Sequence, residues 1–224
     1  ESWEVNEDAT EFTFKLREGV KWSDGTPFTT EDIAFAVEMY QDPDYAAGSW
    51  IDNKNNPVIL EVIDEHNFKF KFGKPNGMFL ETIAGVDGIH ITSLQKKYCS
   101  QFHPNYNENA DADAKAAGFD GWALYLQDRC AWGWETVRFA NPELPTIYGW
   151  VIDQPLTANA QRVTWKRNPY YWKVDAEGNQ LPYIDNLDMR VSQGGVEELT
   201  LAALNGEIDF QDRHIATVVN KPLF

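Results

Sequence analysis

Phe12, Phe14 and Leu16 alternate with Thr13, Lys15 and Arg17, a period of two that predicts a strand with one buried face. Gly19 ends the run. Trp22-Ser-Asp-Gly-Thr-Pro27 then carries turn chemistry, because Asp24 can bond nearby backbone, Gly25 tolerates positive φ and Pro27 cannot continue a ladder. Beyond the turn the period becomes helical. Ile33, Ala36, Val37 and Tyr40 share an apolar face, Thr29 or Thr30 can cap it, and Glu31 and Asp32 sit in the first turn, where the helix dipole favours negative charge. Val58 to Ile63 and Phe68 to Phe72 predict the two strands of a hairpin across the polar residues 64–67.

Met78 to Ala84 predicts a short helix and Ser93 to Phe102 another, with Ser93 as its cap; Gly85 to Thr92 between them is broken by glycines and reads as a loop. Residues 107–118 are polar and alanine-rich. Helical spacing returns from Gly121 to Trp132 through Trp122, Tyr125 and Leu126. At Asn141 the character changes, and Pro142, Pro145 and Pro155 punctuate an extended segment that is the best domain boundary in the chain. After it, Arg162 to Arg167 predicts a strand running toward Trp172, residues 175–180 a turn, and Leu187 to Val191 another strand. Val196, Leu199, Ala203 and Leu204 define a helix face closed by Gly206, and Ile208-Asp-Phe210 begins a further strand. The mixture of elements predicts an α+β fold.

Composition narrows the partners. The 224 residues hold 19 basic and 35 acidic side chains, a net charge of −16, which argues against nucleic acid or an anionic membrane as a partner. No apolar run approaches the roughly 18 residues that cross a bilayer. Nine Trp, nine Tyr and thirteen Phe supply large core side chains, and a subset of flat rings suits a ligand groove.

Catalytic chemistry finds no support. No Gly-x-Ser-x-Gly elbow, phosphate-binding loop or Cys-x-x-Cys pair occurs, and His66, His90, His103 and His214 lack metal-ligand spacing, so neither cofactor nor metal is expected. Asn107, Asn109, Asp111 and Asp113 alternate as in a calcium loop but lack its central glycine and closing glutamate. Carboxylate pairs arise trivially among so many acids, which leaves a carbohydrate-active enzyme domain as the rival from another class.

Two blocks carry a resemblance. Phe12, Phe14, Leu16, Arg17, Gly19, Val20, Trp22, Gly25, Pro27, Phe28, Thr29 and Asp32 form one. Arg167-Asn-Pro-Tyr-Tyr-Trp172, Leu181-Pro-Tyr-Ile-Asp185 and Ala203-Leu-Asn-Gly-Glu-Ile-Asp209 form the other, in the same order as in the family. Together they resemble the family 5 extracellular solute-binding proteins of ABC importers, the peptide and nickel group. The likeness covers residues 1–90 and 145–224 well and the stretch between them poorly; near Tyr148-Gly-Trp150 the family's usual step is altered.

The resemblance implies a periplasmic-binding-protein-like (type II) fold in which residues 1–144 are a small mixed α/β domain and residues 145–224 return into part of a second α/β lobe. It implies that the remaining lobe follows Phe224, that the protein is periplasmic or extracellular, with or without a lipid anchor, and that an export signal lies outside this sequence. It implies a monomer that captures an oligopeptide or similar small solute by lobe closure and delivers it to an ABC permease. An oligosaccharide ligand is the alternative within the family, favoured by the many aromatics and by the run from Trp172 to Asp185. The resemblance places Gly85 to Thr92 near the groove, so Asp87, Gly88 and His90 are candidate ligand contacts, with Trp22, Trp50 and Trp150 as candidate stacking rings. Export would also permit a disulfide between Cys99 and Cys130, two buried, unrelated thiols being the open alternative.

Overall fold

β1 (Ser2–Val5) and β2 (Glu11–Lys15) open a computed structural model that describes residues 1–45, 48–130, 137–211 and 213–223. β3 (Val58–Val62) and β4 (Asn67–Phe72) complete a four-stranded antiparallel sheet in the order β1-β2-β4-β3. Its register sets Phe12 opposite Phe70 and Phe14 opposite Phe68, with Leu60 beyond Phe70, so the aromatic positions share one face. The other face carries Glu11, Glu61, Lys69 and Lys71, paired as Lys69–Glu11 and Lys71–Glu61. The sequence pattern missed β1, a four-residue edge strand exposed along its whole length.

α1 (Thr30–Gln41) packs its apolar residues into the same core. Its start is fixed twice: Thr29 Oγ1 accepts from the Glu31 N–H, and the Asp32 carboxylate accepts from the Thr29 N–H, a capping box with aspartate in the glutamate position. α2 (Phe79–Ala84) follows the hairpin and inserts Phe79 among Phe12, Phe70 and Phe72 at ring-centroid distances of 4.8–5.8 Å. Each such buried ring stabilises the fold by about 1.5–3 kcal/mol through removal from water.

Residues 86–91 form a 3-10 helix where a loop was expected. The helix expected from Ser93 begins later, as α3 (Lys96–Cys99), with Gln95 rather than Ser93 at its N-cap and no side-chain capping bond; both residues are buried. α4 (Ala110–Ala116) and α5 (Trp122–Cys130) complete this helical stretch. The end of the helix expected to reach Trp132 lies outside the described residues. Cys99 and Cys130 form a disulfide with a Cα–Cα separation of 6.0 Å, joining α3 to the end of α5.

After α6 (Val137–Ala140), β5 (Trp150–Gln154), β6 (Arg162–Arg167) and β7 (Asn186–Arg190) make a second antiparallel sheet in chain order. The strand expected to continue toward Trp172 stops at Arg167, since the Tyr170 and Tyr171 N–H groups turn back onto the side chain and carbonyl of Asn168. α7 (Gly195–Leu204) follows β7. The strand expected at 208–210 does not form; no neighbouring strand is present among the described residues to pair with it, and Phe210 is exposed.

Candidate functional site

The 86–91 turn brings four of the proposed contact residues together. The Asp87 carbonyl accepts from Trp50 Nε1 at 3.0 Å and lies 2.8 Å from His90 Nδ1. A carbonyl has no proton to give, so His90 Nδ1 is the donor in this contact. The His90 ring meets Tyr40 edge-on at 5.0 Å, and burial pushes the Tyr40 phenol up to about 12, so that neighbour stays uncharged. Trp50 is held edge-on by Phe70 and Phe79. Gly88 is fixed by space, because a Cβ there would lie 2.1 Å from the Ile83 carbonyl oxygen. The turn therefore packs tightly on α2 and offers solvent the Asp87 carboxylate, with the His90 imidazole and the Trp50 indole partly exposed beside it.

Trp22 and Trp150 stand apart from this cluster. Trp22 is wholly buried, edge-on to Phe28 at 5.5 Å, and its Nε1 donates to Asp32 at 3.1 Å; it is a core ring and cannot stack on a solute. Trp150 is partly buried on β5, where Nε1 donates to the Ile184 carbonyl at 3.0 Å and ties the sheet to the segment after the second turn. Two surface depressions, of about 410 and 180 Å³, are lined by other residues altogether.

Asp32 is more than a dipole partner. Its carboxylate is buried and accepts three N–H groups: Trp22 Nε1 and the Thr29 amide at 3.1 Å, and the Lys96 amide at 2.9 Å. One side chain thus binds the opening turn, α1 and α3. Burial pushes its carboxyl above the ordinary range against the pull of those donors. Asp24, in the same turn, is shifted the other way: partial burial opposes its ionisation, but the Thr26 N–H and hydroxyl, Gln95 and Lys97 prevail and hold it below the usual range. Sequence alone could not reveal the Lys96 contact, which spans 64 positions.

The turn also forms the joint between the two sheets. The Ser23 N–H donates to the Thr146 carbonyl at 2.8 Å, and the Thr146 N–H donates to Ser23 Oγ at 3.0 Å. Arg17 lies 5.4 Å from the Trp172 ring centroid and Lys21 lies 5.6 Å from that of Tyr170, cation–aromatic contacts that straddle the joint. Asn168 is buried behind them with its groups satisfied: its amide donates to the Tyr148 carbonyl at 2.8 Å, and its Oδ1 accepts from the Tyr170 N–H at 2.9 Å. The two resembling blocks, far apart in sequence, meet here.

Among the described residues, no group of three or more His, Cys, Asp or Glu side chains is arranged to hold a metal ion. The alternating acids and amides near residue 110 bond locally: Asn107 donates to Asp113 Oδ2, and Asp111 accepts from the Trp122 N–H. No helix among the described residues is long and apolar enough to cross a membrane.

Comparison with known proteins places this geometry. A solved structure titled oligopeptide-binding protein OppA superposes on 99% of the chain with a TM-score of 0.84 at 35% identity, the chain covering 34% of it. The periplasmic binding protein MelB of Agrobacterium fabrum, solved with stachyose, matches 96% of the chain with a TM-score of 0.69 at 23% identity, the chain covering 29% of it. Among curated proteins, the periplasmic alpha-galactoside-binding protein of Rhizobium meliloti is 27% identical over 92% of the chain. The chain spans 27% of that relative's length. The fold is that of periplasmic binding proteins of the OppA type. The model of the bacterial extracellular solute-binding proteins, family 5 Middle, matches residues 1–123, more than half of the sequence, and the chain belongs to that family.

Proposed function

We propose that the chain serves as part of the solute-binding component of an ABC importer, capturing an oligopeptide outside the cytoplasm and presenting it to a membrane permease as a monomer, without catalysis. The observation that carries this reading is the match over 99% of the chain, at 35% identity, to a protein titled as oligopeptide-binding. Residues 1–144 act as a small α+β domain and residues 145–224 as part of the neighbouring lobe. The fully buried members of the continuous core run from Phe12 to Cys130, within the first of these segments, and support that division, with Ile147 and Trp172 packed against its edge. Binding works by lobe closure, in which a solute bridging two lobes favours the closed state by its differential affinity. The 86–91 turn contributes Asp87, His90 and the Trp50 edge to the surface that faces the solute.

An oligosaccharide is the second reading of the ligand. It is favoured by the relative named as alpha-galactoside-binding, whose match spans both sheets. One experiment separates the two. The complete gene product is screened by thermal shift against di- to pentapeptides and against α-galactosides such as raffinose and stachyose. A ligand at a hundred times its Kd raises stability by about 2.7 kcal/mol. Peptide stabilisation without product formation supports the main reading, and galactoside stabilisation supports the second. If neither class moves the transition, the importer-receptor reading fails; if a stabilising sugar is also hydrolysed, the protein is an enzyme.

A further inference from the structure

We propose that the helical stretch between the sheets carries a small saccharide subsite of its own, in the depression where α4 and α5 face the segment after α3. The depression has a volume of about 410 Å³ and is lined by Gln101, Phe102, Asn107, Asp113, Ala116 and Tyr125, together with a second alanine. That volume lies within the range of about 300–1,000 Å³ typical of small-molecule sites.

The lining is held in place before any ligand arrives. The Asn107 amide donates to the Gln101 carbonyl at 2.8 Å and to Asp113 Oδ2 at 3.0 Å, while its own Oδ1 accepts from the Asn109 N–H at 3.0 Å. Asn107 is therefore fully used and acts as a brace. Asp113 Oδ1 remains available as an acceptor. Gln101 Nε2 donates to the Tyr98 carbonyl at 2.7 Å, which leaves Gln101 Oε1 as a second acceptor. Tyr125 is fixed edge-on to Phe102, with ring centroids 5.0 Å apart. The alanines keep the space open.

The ligand class follows from this set. Two acceptors beside aromatic carbon suit a pyranose, which offers hydroxyl donors on its edge and a C–H face to rings. An anion would lie against the Asp113 carboxylate and be repelled by it. An organic cation would have to compete with Arg129, whose guanidinium already lies 5.4 Å from the Tyr125 ring centroid. A wholly apolar ligand would strip water from Asp113 without replacing its hydrogen bonds. The subsite shares no residue with the Trp50, Asp87 and His90 cluster, so it stands whichever solute the importer reading carries.

The test is an amide-resolved NMR titration of the whole chain with methyl α-galactopyranoside and methyl α-glucopyranoside, with choline chloride and diglycine run in parallel. A glycoside is expected to give saturable shifts at the amides of Gln101, Asn107 and Asp113. Asp113→Asn removes the charged acceptor on an exposed side chain and should weaken binding about tenfold or more. Ala116→Leu should abolish it by filling the space. Dispersed spectra of both variants establish that they fold. Absence of saturable shifts with either glycoside overturns the proposal, as do shifts that survive both substitutions. Saturation by choline or diglycine alone assigns the depression to another ligand and overturns it equally.

Discussion

The two sheets are built on different terms. The first shares one continuous core with α1 to α5, running from Phe12 to Cys130, in which phenylalanines from β2, β4 and α2 meet edge-on. The second sheet and α7 bury Val163, Ala202 and Ile215 outside that core, while Leu201 is 62% exposed and Phe210 is 83% exposed. Both regions show apolar patterns of similar strength in sequence. Periodicity reports which positions share a face and says nothing of whether another element covers that face. The first region thus holds a fully buried core of its own, whereas the second is tied to it through the joint at Ser23, Gly25, Asn168 and Tyr170.

The largest expected effect separates the regions directly. Phe70→Ala should cost about 3–5 kcal/mol in urea unfolding, and Phe210→Ala should stay within about 0.5 kcal/mol. Comparable losses at both sites would abolish the distinction. Next comes the disulfide: replacing both Cys99 and Cys130 by Ser should lower stability by about 3–4 kcal/mol, given the 31-residue separation it closes, with loss concentrated in amide exchange of α3 and α5. If exchange quickens in β6 instead, the helical stretch is not part of the first region's cooperative unit.

Asp32→Asn should cost about 1–3 kcal/mol, because one amide cannot accept the three N–H groups that the carboxylate accepts. The pH dependence tests this further. With a folded pKa raised by burial, Asp32 contributes stability in full below its unfolded value and loses it as pH rises through the folded value. Asp24, whose folded pKa is lowered, contributes in full above its unfolded value and loses it as pH falls through the folded value. Differences between wild type and the Asp32→Asn and Asp24→Asn variants should therefore slope in opposite directions across the carboxylate range. Parallel slopes would show that the two acids of the joint share one environment. The smallest effect concerns β1: Ala9 sits at a φ of +53°, so Ala9→Gly should stabilise by about 0.5–1 kcal/mol. A gain visible in global unfolding places that exposed edge strand within the first region; a gain confined to local exchange leaves it outside.

The elements with long, clean periods were legible: β2, β4, α1 and the helix expected between Gly121 and Trp132 all follow their side-chain spacing. What escaped depends on partners distant in sequence. β1 has too few residues to show a period, and the expected strand at 208–210 has the right residues but no neighbour among the described ones. Gly85 to Thr92 looked like a loop because its glycines hide a tight turn whose need for Gly88 comes from the Ile83 carbonyl. At the candidate site, Asp87, Gly88 and His90 came together in one turn, and Trp50 joins them from the segment before β3 through its bond to the Asp87 carbonyl. Trp22 was misjudged because an indole suited to stacking is equally suited to a core when a carboxylate waits for its N–H. Asp32 was read through its helix and as a member of the first resembling block, neither of which discloses its bonds to Trp22 and Lys96.

Gly25 holds a φ of +83°, and a Cβ placed on it would lie 3.2 Å from the phenol end of Tyr170. The missing side chain of one sheet's turn is occupied by a ring from the other. In a mutational lineage these two positions would not drift separately: any residue gained at 25 selects for a smaller one at 170, and the pair would appear as linked substitutions across 144 positions of intervening sequence.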